Sequence, residues 1–485
     1  MSAISSPAQA EAEAAAAPAA TSAEIDASCR APLLLFFLSA AVWLLAASGF
    51  GLIATLKFHS PDFLADCAWL TYGRVHPAAL DSLVYGFAAQ AGLGVLLWLV
   101  CHLGRTRLDF VPGILAGVLL WNTGVTIGIL GIIAGENTGF EWLEFPRYAL
   151  VALFCGYLLI GLGAMRTFHQ RREPVLYTSQ WFLLAAVFWF PWIFSTAGFL
   201  LVAKPVRGAM QAVVDAWYFT NLSKVWLGFI GIAAIFYFIP RLAKRPLHSH
   251  YLGVFIFWAL ALFGSWGGIA MDAPLPSWIP ALSTVAAVLT LVPVLGVALN
   301  VRGTARGQCA ALAVNPSARF ILFSVPAYVL AGLAVAVTSL YHVSETTNFT
   351  WLMPAQTQLF LYGFFAMAMF GVVYLIVPRL LGVEFSARLV GLHFWLAALG
   401  IIIYVVPLAI GGVAQGNALN LGTGAFLEVT RSTLTFLRVS TTGDLLMAAG
   451  HVVFFLNLIG VLARAGRQTL RQAWDAGLKT VEAAP

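Results

Sequence analysis

Between Tyr362 and Leu380 the chain reads YGFFAMAMFGVVYLIVPRL, and no charged side chain interrupts the longer run from Gln356 to Pro378. About 20 apolar residues are enough for a helix to cross the roughly 30 Å of hydrocarbon in a bilayer. The rest of the chain is similar, because 61% of its 485 residues are hydrophobic and 9% are charged. A soluble domain is usually about a quarter charged. The sequence therefore predicts a helical protein whose solvent is the lipid bilayer.

Twelve apolar windows of this kind occur along the chain. They begin near Leu33, Leu80, Val111, Tyr148, Ser179, Ala212, Tyr251, Ile279, Arg319, Gln356, Ala387 and Gly443. We expect an all-α, polytopic membrane protein with a bundle of twelve transmembrane helices at residues 31–467. Residues 1–30 are expected to form a disordered cytoplasmic tail, and residues 468–485 a cytoplasmic C-terminal tail.

Lysine and arginine are concentrated in the loops that follow the even-numbered windows, as is typical of cytoplasmic loops. These residues are Arg105, Arg107, Arg171, Arg172, Arg241, Lys244, Arg245, Arg302, Arg306, Arg379, Arg388, Arg464 and Arg467. Loops after odd-numbered windows are more acidic, as at Glu141 and Glu144, with Lys204 and Arg207 as exceptions. Both termini are therefore expected in the cytoplasm, and the protein in a bacterial-type inner membrane. The segment from about Gly412 to Thr442 is rich in Gly, Thr and Asn, and we expect it to form an outer cap.

Several function classes are disfavoured by the same residues. The net charge of +6 is spread over short loops instead of one patch, so no nucleic-acid partner is expected. The five cysteines are widely spaced and form no C-x-x-C, so the chain has no signature of c-type haem attachment or of a zinc pair. No glycine-rich nucleotide-binding motif is present.

A series of ordered segments resembles one family. Trp69 to Phe87 reads WLTYGRVHPAALDSLVYGF. Later segments are YTSQWFLLAA from Tyr177, WYFTN from Trp217, FIPRLAKRPLHSHYL from Phe238, FWAL from Phe257, YGFFAMAMFGVVYLIVPRL from Tyr362, LHFWLAALGI from Leu392 and GVAQG from Gly412. Their order and spacing over residues 40–465 are similar to those of C-type (cbb-type) haem-copper oxidase catalytic subunits and related nitric oxide reductases. The resemblance implies the twelve-helix fold of oxidase subunit I.

The resemblance also implies six histidines, which in that family hold haem b and copper. Imidazole nitrogen is required because aliphatic side chains bind neither metal. The positions that match these histidines are Ala79, Thr220, Ile269, Ala270, Gln356 and Gln358, and Asp81 stands where the family has asparagine. None of them is histidine, so the chain is predicted to bind neither haem b nor copper, and these positions are interpreted as vestigial.

Other histidines were considered as substitutes. His76 lies one turn before Ala79 and is a candidate haem ligand, but it precedes Pro77 and has no evident partner. His393 and His451 are interpreted as packing residues. His248 and His250 form an H-x-H pair in a basic loop, where two ligands are too few for a closed zinc site.

Lys224 follows Thr220 by one helical turn, so both side chains face the same way. A lysine in the middle of a membrane helix costs about 2.5–3.5 kcal/mol and normally pairs inside the bundle. We hypothesise a buried polar network in which Lys224 occupies the former metal site with Thr220, Gln356 or Gln358, and pairs with Asp81 or Asp215. The alternative is that Lys224 extends into a wet cavity and has no role.

Three functions remain open from the sequence. The first is a non-catalytic oxidase-like subunit that keeps its scaffold within a respiratory-type membrane complex. The second is an active terminal oxidase that transfers electrons from cytochrome c to dioxygen, and the third is a transporter that uses the emptied cavity. The expected partners are the lipid bilayer and other membrane subunits, among which the resemblance implies c-type cytochromes.

Overall fold

A computed structural model describes residues 19–482 apart from positions 272 and 423. The described chain is helical, with eleven helices long and apolar enough to span a membrane and one shorter apolar helix. In chain order they are α1 (Ser22–Leu56), α2 (Tyr72–Gly104), α3 (Val111–Ala134), α4 (Arg147–His169), α5 (Thr178–Ala203), α6 (Met210–Ala243), α7 (His250–Trp266), α8 (Trp278–Thr304), α9 (Pro316–Thr338), α10 (Leu352–Leu381), α11 (Ala387–Leu421) and α12 (Phe426–Glu482). The predicted all-α membrane bundle is confirmed, and each expected span has one helix.

The short member of the set is α7. Its last turn, Gly264–Trp266, is a 3-10 helix, and it is followed by Gly267 and by Gly268 with a φ of 98°. α7 ends at Trp266 because Gly267 is extended, with a φ of −75° and a ψ of 170°. The positive φ of Gly268 favours glycine at that position. The segment after α7 contacts Thr220 of α6.

Three helices form the centre of the bundle. In α2, α6 and α10, between 94% and 100% of the most apolar window is buried, against 39–56% in the other long helices. Each of the three contains a π-helical stretch, at Ser82–Ala88, Asn221–Leu227 and Leu359–Ala366. Such stretches are frequent at functional sites. The other helices surround these three.

The first helix begins earlier than expected. Thr21 and Glu24 form a capping box, with the Thr21 N–H donating to the Glu24 carboxylate at 2.9 Å and the Glu24 N–H donating to Thr21 Oγ1 at 3.3 Å. One turn later, Asp26 is buried and accepts hydrogen bonds from Trp98 and His102 of α2, each at 2.9 Å. The assignment of residues 22–30 to a disordered tail was therefore wrong, because contacts with α2 hold them in a helix. Residues 1–18 lie outside the described residues.

The expected cap at Gly412 to Thr442 is also corrected. α11 continues to Leu421 and α12 begins at Phe426, so most of this segment is helical. Its glycines allow close approach of backbones, since a Cβ on Gly416 would lie 1.7 Å from the Thr346 carbonyl oxygen. Small residues have this role between membrane helices.

Candidate functional site

A small cavity lies beside the π-helical turn of α6. It lies between α6, α7, α8, α9 and α10. Its polar lining residues are Thr220, Lys224, Thr290 and Tyr328, and the rest of the wall is apolar, including Leu260, Val294 and Phe360. Ligand sites are typically lined by apolar side chains with a few polar groups among them. The cavity is therefore the candidate site.

Thr220 lies against the segment that follows α7. Its side chain is buried, and its Oγ1 has no hydrogen-bond partner among the described residues. A Cβ on Gly268 would fall 2.1 Å from that oxygen. The neighbouring Ile269 donates its N–H to Ser283 Oγ at 2.9 Å, which holds the segment against α8. The structure thus brings Thr220 to the segment containing Ile269 and Ala270, with Gly268 as the contact residue.

The two glutamines of α10 do not join Thr220 and Lys224. Gln356 is buried and donates its Nε2 to Thr338 Oγ1 at the end of α9, at 3.2 Å. Gln358 is half-buried, and neither glutamine lines the cavity. The expected hydrogen bonds between Lys224 and the glutamines are therefore not formed.

Lys224 is half-buried and lines the cavity near the middle of α6. No ion pair to it occurs within the described part of the chain. Asp215 lies nine residues earlier, about 13 Å along the helix at 1.5 Å per residue, where its Oδ2 accepts the Glu141 N–H at 3.3 Å. Asp81 lies beside Glu144. The expected pairing of Lys224 with Asp81 or Asp215 is therefore not formed, because both carboxyl groups contact the loop that contains Glu141 and Glu144.

The carboxyl groups form a separate acidic cluster with the loop between α3 and α4. Asp81 is fully buried beside Glu144, and neither Asp81 oxygen has a hydrogen-bond donor from an N–H or a basic group among the described residues. Burial, and then the neighbouring Asp81, raise the pKa of Glu144 well above its usual range. One of the two groups therefore carries a proton near neutral pH, since two buried like charges cannot both ionise.

Two tyrosines beside this cluster connect α2 and α6. The Tyr85 and Tyr218 hydroxyls are 2.5 Å apart, and Tyr85 also donates to the Trp142 carbonyl at 2.5 Å. Both side chains are buried. Sequence reasoning used Glu141 and Glu144 only as indicators of topology and missed the contact between this loop and α2 and α6. The sequence did carry a signal for this contact, because a short loop between two membrane helices contains both acidic residues.

The five histidines that could substitute as ligands contact residues other than histidine. His76 stacks on Tyr72 with ring centroids 5.2 Å apart. His451 uses both ring nitrogens, toward Ser48 Oγ at 2.6 Å and the Tyr362 hydroxyl at 2.8 Å. His393 lies 2.9 Å from the Tyr374 hydroxyl and is packed among phenylalanines. His250 contacts Thr178 Oγ1 at 3.0 Å, while the ring of His248 packs on Gly303.

These surroundings do not fit haem iron or copper at the expected positions. None of the six carries an imidazole, and the described residues contain no group of three His, Cys, Asp or Glu side chains able to hold a metal. The interior between α2 and α10 is filled by aromatic rings, with Phe87 and Phe370 centroids 5.2 Å apart and Phe365 packed on Gly92. Ala79 is half-buried and faces Gly51 of α1.

Three buried central helices surrounded by further apolar helices define a polytopic α-helical membrane protein. A solved heme-copper terminal oxidase dimer contains a chain of this fold, with a TM-score of 0.70 and 13% identity over 89% of this chain and 84% of that one. The family described as cytochrome c and quinol oxidase polypeptide I matches residues 31–446. The chain belongs to this family and is a cytochrome c oxidase subunit I-like membrane protein.

Named relatives cover most of the chain. A cytochrome c oxidase subunit 1 homolog of Azorhizobium caulinodans is 26% identical over 93% of this chain and 85% of its own length. A cbb3-type cytochrome c oxidase subunit of Stutzerimonas stutzeri is 26% identical over 91% of this chain and 95% of its own length. The resemblance to cbb-type subunits is thereby confirmed.

Proposed function

We propose that this chain is a non-redox member of its family, which uses the subunit I scaffold for assembly within a respiratory-type membrane complex. The observation that carries the proposal is the combination of six non-histidine positions with an interior filled by aromatic rings. In proteins, haem iron and copper are held by imidazole, thiolate, thioether or phenolate ligands in fixed geometry. The threonine, the isoleucine, the two alanines and the two glutamines at these positions supply none of these ligands.

The partners in this proposal are other membrane subunits, with c-type cytochrome subunits among them. The lipid bilayer is the other partner, since the exposed side chains of the outer helices are large and apolar, as at Trp192, Trp258 and Trp395. The location is a bacterial-type inner membrane with both termini in the cytoplasm. Basic residues in the loops after even-numbered helices support this orientation.

Oxygen consumption tests the proposal against an active terminal oxidase. The protein is purified with its associated subunits in a mild detergent, and oxygen uptake is measured with reduced cytochrome c. The cbb3-type subunit of Stutzerimonas stutzeri, purified in its own complex in the same way, is the positive control. We expect co-purifying membrane subunits and no oxygen uptake that depends on this chain. Turnover that is lost when Lys224 or Gln358 is changed would overturn the proposal.

A further inference from the structure

A second pocket lies at one end of the bundle, where α2 and α6 end and α5 and α7 begin. Its volume is ≈ 430 Å³, and volumes of 300–1,000 Å³ are typical of ligand pockets. It shares no lining residue with the cavity at Lys224. Its polar lining residues are Tyr177, Tyr237, Arg241, Lys244, Arg245 and His250.

The charge of this pocket is positive and is not compensated. Arg241, Lys244 and Arg245 line it, and no carboxylate of the described residues does. None of the three forms an ion pair within that part of the chain. Asp26, a buried carboxylate at the same end of the bundle, lies 3.5 Å from Arg379 instead. A cleft lined by charges of one sign attracts ions of the other sign, so the pocket favours an anion.

The two arginines are held at the pocket by contacts that leave most of their N–H donors free. The Cζ atom of Arg241 lies 4.0 Å from the centroid of the Tyr237 ring, in a cation–π contact. Arg245 donates from Nη1 to the Arg306 carbonyl oxygen at 2.7 Å. A guanidinium group has five N–H donors, and its planar fork matches the oxygens of a phosphate. Both side chains can therefore bind a phosphate and keep these contacts.

The basic side chains are not needed to complete the end of α6. Lys244 has a left-handed conformation with a φ of 51°, and its backbone N–H donates to the Arg241 carbonyl at 3.3 Å. The backbone N–H of Arg245 donates to the Pro240 carbonyl at 3.0 Å. Tyr237, in the wall of the pocket, is buried, and its hydroxyl has no hydrogen-bond partner among the described residues. The pocket therefore keeps unused polar groups.

We infer that this pocket binds a phosphate-bearing anion with at least two negative charges, held by Arg241, Lys244 and Arg245. Three cations suit such an anion better than a single carboxylate, and the volume exceeds what one small ion fills. Two sources carry this chemistry. One is the headgroup of an anionic phospholipid, since basic pockets between membrane helices bind such headgroups, and the other is a water-soluble phosphate compound. The inference is independent of the proposed function, because none of the six expected metal positions lines this pocket.

Two binding measurements on the full chain test the inference and separate the sources. The first is equilibrium dialysis of ³²P-labelled pyrophosphate against the chain in phosphatidylcholine nanodiscs, with empty nanodiscs as the background. The second is native mass spectrometry of the detergent-purified chain after addition of cardiolipin and phosphatidylcholine in equal amounts. We expect saturable pyrophosphate binding, selective retention of cardiolipin, or both. Pyrophosphate binding alone identifies a soluble ligand, and cardiolipin retention alone identifies a lipid headgroup.

Variants assign the binding to this pocket. The double variant Arg241→Gln/Arg245→Gln should weaken binding by at least about tenfold, the usual effect of losing a hydrogen bond to a charged group. The matched control is Arg302→Gln/Arg388→Gln, which removes two exposed arginines at helix ends outside the pocket and should leave binding unchanged. Lys244→Gln changes an exposed side chain and should weaken binding by about tenfold for the same reason. It keeps the test decisive if the double variant does not fold.

The absence of both pyrophosphate binding and selective cardiolipin retention would overturn the inference. Binding that is unchanged in Arg241→Gln/Arg245→Gln, or in Lys244→Gln where the double variant does not fold, would overturn it as well. Displacement of pyrophosphate by acetate at equal concentration would overturn the phosphate assignment. Haem bands in the same sample would contradict the proposed function and leave this inference unchanged.

Discussion

A Cβ atom on Gly268 would lie 2.1 Å from the Oγ1 of Thr220 and 3.1 Å from the Ala216 carbonyl oxygen. α6 and the segment after α7 therefore touch at a point where only glycine fits. We expect Gly268→Ala to lower the free energy of unfolding by about 2–4 kcal/mol, through overpacking and an unfavourable positive φ. Thermal unfolding in detergent measures this.

Gly267→Ala is the matched control, because its φ is −75° and the nearest atom to an added Cβ is 3.8 Å away. It should be close to neutral. Adding Thr220→Ala to Gly268→Ala should restore part of the stability, since it removes the closest atom. Equal losses for the two glycine variants would show that the contact at Gly268 is not tight.

The start of α1 provides a second prediction. Asp26→Ala removes the acceptor for Trp98 and His102 and a carboxylate 3.5 Å from Arg379. We expect a loss of about 1–3 kcal/mol, because buried donors are left unpaired. Glu24→Gln changes a more exposed ion pair with Arg107 and should cost less than Asp26→Ala. If Asp26→Ala left the free energy of unfolding unchanged, residues 22–30 would not pack on α2.

Stability should depend on pH through Glu144. Its pKa is raised in the folded protein, so the folded state binds more protons than the unfolded state above about pH 4.3. Stability is then fully present below that value and is lost as the pH rises through the raised pKa. We expect Glu144→Gln to gain Tm relative to the wild type as the pH increases from 5 to 9. A difference in Tm that stays constant over this range would contradict the assignment.

Native cysteines report the orientation in the membrane. Cys67, in the loop after α1, and Cys309, in the loop before α9, are both exposed. With cytoplasmic termini, a membrane-impermeant maleimide added to spheroplasts should label Cys67 and spare Cys309 until the cells are broken. Cys155 is exposed on α4 and should resist labelling because lipid covers it. Labelling of Cys309 alone in intact spheroplasts would reverse the orientation.

Much of the fold could be predicted because its signals lie along the chain. Apolar length and loop charge identified the spans, and helical spacing placed Thr220 and Lys224 on one face, where both line the cavity. The start of α1 was missed because Asp26 depends on Trp98 and His102, which are distant in sequence. The sequence also does not show which side chains come together inside the bundle. Asp81 was therefore expected to pair with Lys224, although it lies beside Glu144.

The glycine-rich segment from Gly412 to Thr442 was misread for a chemical reason. Gly and Thr indicate loops in water, whereas in lipid they allow helices to approach closely. A Cβ on Gly412 would lie 2.2 Å from the Leu352 amide nitrogen, a contact between α11 and α10. The contact at Gly268 could not be predicted either. It depends on the turn after α7, and a turn has no hydrophobic periodicity that the sequence would show.

The most direct test of the central claim is the pyridine haemochrome spectrum of this chain, separated from its partner subunits, together with its copper content. A non-redox subunit should show no haem b bands and no stoichiometric copper. One or more haems or one copper per chain would contradict it and would mean that side chains other than those at the six expected positions hold the metals.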